Sequence, residues 1–159
     1  MKRSIRFAVT ICAVLAAGCA GTPPTKHEAP AAKSAPTPQK GSDALYRALG
    51  GEAGITRVVD AALAEIHGDL RINIFFEKTD MADLRRLVIE QLCAATGGPC
   101  TYSGRSMEEA HSGLNLTDAD FDAFVEDLVR AMNKEKVPED LQKQLLGVLG
   151  PMRPQVVGQ

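Results

Sequence analysis

The part of the sequence that has the composition of a folded domain is poor in basic residues. Residues 1–42 hold six of the 18 lysine and arginine residues and one of the 20 aspartate and glutamate residues. From Asp43 onward, 12 basic residues therefore accompany 19 acidic ones, a net charge of about −7. Contacts to phosphates need clusters of basic side chains, so this balance argues against nucleic acid as a partner.

The apolar run near the start, "FAVTICAVLAAG", is about a dozen residues long and therefore too short to span a bilayer. It follows the basic "MKRSIR" and leads into "LAAGC", an order typical of an export signal. Residues 1–18 resemble a bacterial lipoprotein signal, cleaved before a lipid-modified Cys19, although Ala16 stands where leucine is commoner. An ordinary secretory signal is the alternative. Because Ala20 is not the aspartate that marks inner-membrane retention, we expect an outer-membrane anchor facing the periplasm.

Residues 19–42 have almost nothing to bury. They are rich in proline, alanine and lysine, which predicts an extended, disordered tether in which His27 is only solvated. The remaining length has room for one domain, residues 43–159.

The sequence lacks a second cysteine or histidine pair with metal-ligand spacing, so Cys93 and Cys100 are poor candidates for a metal site. After export, a disulfide between them is expected, and its small loop limits the stabilisation to about 2–3 kcal/mol. Two reduced, buried cysteines are the alternative.

From Asp43 onward no alternating run is long enough to predict a strand, whereas apolar residues recur with helical spacing. We therefore predict an all-α domain. Thr79 is the predicted cap of one helix, Thr117 and Asp120 predict a capping box, and Pro138 suits a first helical turn. The predicted apolar faces comprise Ile55, Val58, Val59, Ala62, Leu63 and Ile66; Met81, Leu84, Val88, Leu92 and Ala95; Phe121, Phe124, Val125, Leu128, Val129 and Met132; and Leu141, Leu145, Val148, Leu149 and Met152.

A plain helical bundle does not explain residues 99–116, a long connection with His111 in its middle. Several stretches of the domain resemble the group I truncated globins, the two-over-two haem proteins: "LYRALGG", "GITRVVD", "FF", "GGP" and above all "YSGRSMEEAHSGL". The resemblance runs without gaps from about residue 45 to residue 157. It implies a truncated two-over-two globin fold and a haem cofactor, and "QLCAATGGPC" resembles the exported members that carry a cysteine pair.

The resemblance makes His111 the proximal ligand of the haem iron. Taken alone, a single histidine is more often structural. A ligating imidazole needs a partner for its second nitrogen, and Glu108 or a backbone carbonyl can supply it. Met107 is expected on the proximal side. His67, at a helix end, matches no family ligand and is expected to be structural or solvated.

The distal side departs from the better-known family members. Leu63 stands where a hydrogen-bonding tyrosine is usual, and Leu84, Leu87 and Val88 occupy the other distal positions. Gln91 and Tyr102 are the nearest substitute donors, but we expect helical spacing to point Gln91 away. An apolar pocket should release O₂ faster and affect CO less, because bound O₂ carries more negative charge.

The resemblance also implies which residues bury the porphyrin: Phe75, Phe76, Leu84, Val88, Leu92, Met107 and Phe121. A core phenylalanine is the alternative reading of Phe76. Arg85, Arg86 or Arg105 are candidates for the haem propionates, although each can equally be a solvated helix residue.

Three functions remain. The first is binding of O₂, NO or CO as a carrier, scavenger or sensor input at the cell envelope. The second is enzymatic activity as a nitric oxide dioxygenase with an unknown electron donor. Leu63 in place of tyrosine weakens the case for this activity, because the family's dioxygenase chemistry depends on a stable O₂ complex. The third is a haem-transfer or interaction lipoprotein, held at the membrane by its lipid anchor.

Overall fold

The computed structural model describes residues 43–159. The signal of residues 1–18, the tether of residues 19–42 and the lipid site Cys19 lie outside the described residues. Within them there are six α-helices, two 3₁₀ helices and no strand, which confirms the all-α prediction.

The α-helices are α1 (Ala44–Ala48), α2 (Gly51–Gly68), α3 (Met81–Ala95), α4 (Met107–His111), α5 (Asp118–Lys134) and α6 (Glu139–Leu149). The 3₁₀ helices are Asn73–Phe76, between α2 and α3, and Gly150–Gln155, after α6. α2 packs against both α3 and α5, and α6 packs against α5. No helix among residues 43–159 is both long enough and apolar enough to cross a membrane.

The core forms where α2 meets its two partners. The predicted apolar face of α2 is buried except for Leu63, which is half-buried, and Ile55 is 2% exposed. A fully buried apolar side chain of this kind contributes about 1.5–3 kcal/mol. Leu128 and Met132 of α5 bury their side chains in the same cluster. Gly54 lets α1 approach α2 closely, because a Cβ atom there would lie 1.8 Å from the carbonyl oxygen of Leu49.

The helix starts follow the predicted signals with two differences. Thr117 and Asp120 form the predicted capping box of α5. The cap of α3 is Asp80 rather than Thr79, because its carboxylate accepts from the two amides at positions 82 and 83. Pro138 caps α6 rather than lying in its first turn.

A disulfide joins Cys93, which is fully buried at the end of α3, to Cys100, with 5.7 Å between their Cα atoms. The bond ties α3 to the start of the connection that leads to α4. The structure therefore holds the oxidised pair and not two separate thiols.

Candidate functional site

A cavity of about 530 Å³ is lined by residues of α2, α3, α4, α5, the first 3₁₀ helix and the end of the chain. This volume is within the usual range of small-molecule and cofactor sites. The cavity wall includes every residue predicted to bury the porphyrin, to form the distal side or to bind the iron. These are Leu63, Phe75, Phe76, Leu84, Leu87, Val88, Leu92, Met107, His111 and Phe121.

His111 is the last residue of α4, a helix of five residues. Short helices are marginal on their own, and this one starts with a capping box. Ser106 Oγ accepts from the amide of Glu109, whose carboxylate accepts from the amide of Ser106, both at 3.2 Å. The box holds α4 in place and so orients the imidazole at its end.

The ring of His111 is half-buried, and its Nδ1 atom lies 2.7 Å from the carbonyl oxygen of Met107. Of the two expected partners, the backbone carbonyl is the one present, and Glu108 is exposed. A carbonyl only accepts, so Nδ1 carries the proton and Nε2 keeps its lone pair. No residue within 43–159 forms a hydrogen bond with Nε2, which leaves this nitrogen available to a metal.

The connection before α4 is tightly packed. The hydroxyl of Tyr102 donates to the carbonyl oxygen of Arg105 at 2.9 Å, and burial raises the pKa of this phenol. A Cβ atom on Gly104 would lie 2.3 Å from the Tyr102 hydroxyl, so this approach requires glycine. Because its proton is donated to Arg105, Tyr102 does not serve as a distal donor in this arrangement.

The distal wall is apolar where Leu63, Leu84, Leu87 and Val88 line it. The expectation that Gln91 points away was wrong, because Gln91 also lines the cavity. Residues separated by three, four and seven positions share a helix face, and Gln91 follows Leu84 by seven.

The side-chain amide of Gln91 contacts the sulfur atoms of two methionines. Its Nε2 atom lies 3.1 Å from Sδ of Met107 and 3.5 Å from Sδ of Met152. The amide donor that α3 brings to the cavity is thus in contact with two thioethers, which are weak acceptors.

Two of the three arginines considered for the propionates do not line the cavity. Arg85 bonds both carboxylate oxygens of Asp60 at 2.5 and 3.0 Å and thereby lowers the pKa of Asp60. Arg86 pairs with Asp83 and Glu90. Both guanidinium groups are therefore already paired with carboxylates.

Arg105 does line the cavity, and so do Lys78 and Thr79 at the start of α3. Sequence reasoning missed Lys78, although it lies two residues after "FF" and shortly before the start of α3. Two cations and a hydroxyl on the cavity wall are suited to carboxylate groups.

The last part of the cavity wall comes from residues 150–159, here named the closing segment. Met152 and Val156 line the cavity, and so does Leu149, which directly precedes the segment. Met152 was expected to continue the α6 helix, but it lies in the second 3₁₀ helix. The spacing of residues 149, 152 and 156 was the available signal for a shared face. His67 is exposed and does not line the cavity.

Residues 44–157 match the family described as bacterial-like globin. The chain belongs to this family. The group 1 truncated hemoglobin GlbN of Synechocystis is 38% identical over 110 residues, which cover 67% of this chain and 89% of that protein. The group 1 truncated hemoglobin of Tetrahymena pyriformis is 31% identical over 114 residues, 72% of this chain and 94% of that protein.

Solved structures agree with the truncated two-over-two globin fold. The Fe(III) truncated hemoglobin of Tetrahymena pyriformis superposes with a TM-score of 0.70 at 30% identity, covering 72% of this chain and 98% of the other. The 2/2 hemoglobin of Synechococcus, solved in the cyanomet state with covalently attached heme, gives 0.68 at 33% identity with the same coverage.

Haem is the cofactor of this family, and the residues of the cavity fit it. The walls are apolar and include the adjacent rings of Phe75 and Phe76, as a large apolar macrocycle requires. His111 Nε2 is without a hydrogen bond among residues 43–159, and the cations Lys78 and Arg105 line the cavity. An iron ligand, a ring-binding wall and partners for two carboxylates are thus all present.

Proposed function

We propose that this globin binds O₂, NO or CO at ferrous haem, with His111 as the proximal iron ligand, and acts as a gas carrier or scavenger at the cell envelope. One observation carries the proposal: the hydrogen bond from His111 Nδ1 to the Met107 carbonyl, on the wall of a cavity with apolar sides. That bond sets the tautomer and the ring orientation that iron ligation needs.

The apolar walls contribute most of the proposed haem affinity, at about 25 cal/mol per Å² of apolar surface removed from water. Phe75, Phe76 and Phe121 supply the aromatic part of these walls. Arg105 and Lys78 are the proposed propionate partners, in place of Arg85 and Arg86. Because such pairs are exposed to water, each contributes about 0–1 kcal/mol.

The haem supplies a reversible bond to a diatomic gas, and the chain determines which gas is favoured. Leu63, Leu84 and Val88 have no hydrogen to donate to a polar ligand, and Gln91 contacts two thioethers. A missing charge-assisted hydrogen bond costs the more polar ligand about 1–3 kcal/mol. The pocket is therefore proposed to release O₂ quickly and to retain CO comparatively well.

The envelope location is supported by the sequence of residues 1–42, which has the order of a signal, a Cys19 lipid site and a proline-rich tether. A disulfide persists in oxidising compartments, and the bond between Cys93 and Cys100 agrees with an exported protein. A lipid anchor at Cys19, probed by metabolic labelling with a fatty acid and lost in Cys19→Ala, is the test of this part.

Nitric oxide dioxygenase activity with an external electron donor is the second candidate carried over from the sequence. It is disfavoured by the same distal wall, because that chemistry depends on long retention of O₂ in the pocket. A haem-transfer role is the third, and it predicts rapid haem loss instead of stable binding.

The test of the proposal is an absorption spectrum of the haem-loaded chain in ferric, ferrous and ferrous-CO states, beside His111→Ala. We expect a sharp Soret band that shifts with CO, and loss or displacement of that band in the variant. Glu108→Ala, a change on the same short helix, is the control and should keep the wild-type spectrum. Equal, weak haem binding by the wild type and His111→Ala would overturn the assignment of His111.

A further inference from the structure

The closing segment, residues 150–159, is a part of the cavity wall with few buried anchors. Met152 and Val156 face the cavity, yet no side chain of the second 3₁₀ helix is fully buried. By contrast, α2, α3 and α5 reach the cavity from a core that includes Ile55, Leu92 and Leu128. Local opening follows low burial, so the closing segment is a wall that can move without disrupting the core.

The first 3₁₀ helix and α4 also line the cavity without a fully buried residue, but each follows a buried or covalently linked residue. The first 3₁₀ helix follows Ile72, which is 2% exposed. The connection to α4 is held by the disulfide at Cys100. No residue of the closing segment is fully buried, and polar contacts join it to α5 and to the loop after α4.

Arg153 supplies the main side-chain contacts of the closing segment. Its guanidinium lies 4.6 Å from the ring centroid of Phe121, a cavity-lining residue that is 9% exposed. The same group forms ion pairs with Asp118 and Asp122, on the first turns of α5. One side chain thus combines a cation–π contact with two charge-assisted hydrogen bonds.

Two backbone hydrogen bonds join the closing segment to the chain just after His111. The amide of Asn115 donates to the carbonyl oxygen of Gln159, and the amide of Gly158 donates to that of Leu116, both at 2.9 Å. These bonds place the end of the segment beside the loop that leaves α4. Release of the segment would therefore expose the cavity next to the proximal side.

We propose that Arg153 is a positioning residue for haem: it fastens the closing segment onto α5 and thereby sets the rate at which haem leaves. A buried cofactor leaves only when part of its wall opens. The inference rests on the proposed function in one respect, that haem occupies this cavity. It adds that retention is governed by a residue that does not contact the iron.

The test is transfer of haem from the full-length, ferric chain to an excess of apomyoglobin, followed by absorbance. Arg153→Gln removes the cation, both ion pairs and the contact with the ring, and it should accelerate haem loss about tenfold, which corresponds to about 1.4 kcal/mol. Arg153→Lys keeps a cation over Phe121 but loses the planar guanidinium that pairs with both carboxylates. Its rate of haem loss should lie between the rates of the wild type and Arg153→Gln.

Arg71→Gln is the matched control. Arg71 also pairs with two carboxylates, those of Asp69 and Glu126, but it does not line the cavity. Its haem loss should stay within about twofold of the wild type, since exposed ion pairs contribute little to stability. Equal acceleration in both variants would mean general destabilisation and would overturn the role of Arg153.

A second readout does not need haem. In the apoprotein, amide hydrogen exchange at Asn115 and Gly158 should become faster in Arg153→Gln, while exchange at Val58 and Val59 in the core should not. If exchange at Asn115 and Gly158 is unchanged in Arg153→Gln, Arg153 does not hold the closing segment on α5. If the rate of haem loss is unchanged, Arg153 does not set that rate. A wild-type chain that binds no haem would instead overturn the proposed function itself, and the inference with it.

Discussion

Gln91 of α3 and Met107 of α4 are in direct contact: the Nε2 atom of Gln91 lies 3.1 Å from the Sδ atom of Met107. The carbonyl oxygen of the same methionine accepts the hydrogen bond from His111 Nδ1. A residue on the distal helix therefore touches the residue that orients the proposed iron ligand. The two sides of the cavity are linked through Met107.

Replacement of Gln91 by leucine should alter the proximal side with little effect on stability. Because a thioether is a weak acceptor, the free energy of unfolding should fall by less than about 1 kcal/mol. The iron–histidine stretching band of the ferrous protein should nevertheless shift in resonance Raman spectra, since Met107, whose carbonyl accepts from His111 Nδ1, loses its side-chain contact with Gln91. Gln144→Leu, the same change at an exposed site on α6, should leave the band in place; a band unmoved in both variants would disconnect Gln91 from His111.

Introduction of a distal donor should slow O₂ dissociation. Leu63→Tyr places a hydroxyl on the wall of the cavity, and a hydrogen bond worth about 1–3 kcal/mol corresponds to a slowing of roughly five- to 150-fold. CO dissociation should change much less, because bound CO is less polar. Stopped-flow measurement of both rates tests this.

Leu63→Phe is the control for the added ring, because it lacks only the hydroxyl. If phenylalanine slows O₂ release as much as tyrosine does, the effect is steric and the account of an apolar pocket loses its support.

Loss of the disulfide should destabilise the fold moderately. Cys100→Ser breaks the bond and leaves the fully buried Cys93 thiol in place. The closed loop is short, so the free energy of unfolding should fall by about 2–3 kcal/mol in urea titrations. Addition of a thiol reductant should destabilise the wild type by a similar amount and the variant not at all. A reductant effect on the variant would point to another cause.

Acid should remove a contribution from Asp69. The side-chain hydrogen bond from Arg71 lowers the pKa of this carboxyl from 3.8 to about 2. A carboxyl whose pKa is lowered on folding stabilises the folded state at pH values above its unfolded pKa. This stabilisation disappears as the pH falls from about 4 through about 2. Arg71→Gln should raise the pKa of Asp69, as measured by carbon NMR of the carboxyl groups.

The control for this titration is Arg85→Gln. It removes the hydrogen bond that lowers the pKa of Asp60, so it should raise that pKa and leave Asp69 unchanged. If each variant changes the pKa values of both Asp60 and Asp69, the changes reflect the overall charge of the protein and not the individual ion pairs.

The helices were predictable because helical periodicity is a local property. The spacing of Ile55, Val58 and Val59 predicted the buried face of α2, and the Thr117 and Asp120 pair predicted the start of α5. The Asp80 cap was missed because Thr79 and Asp80 are adjacent and both are good caps. Only the backbone conformation distinguishes them.

Some features of the candidate site were predictable from the sequence and others were not. The motif around His111, and the apolar side chains at positions 63, 84 and 88, could be read from the order of residues, and the structure gathers them around one cavity. Which carbonyl holds His111, which carboxylate holds Arg85 and where Gln91 directs its amide could not be read in this way. Each depends on where another segment lies.

The sequence by itself determined the helices, because helical spacing is a local property, and its resemblance to the group I truncated globins supplied the candidate iron ligand and the absence of a donor from the matched distal positions. Only the tertiary structure decided which charges and amides are already paired, and that Arg153 joins the closing segment to Phe121 and the start of α5. Such pairings connect residues distant in the chain. Packing of the helices, and not their sequence periodicity, brings them within hydrogen-bond reach.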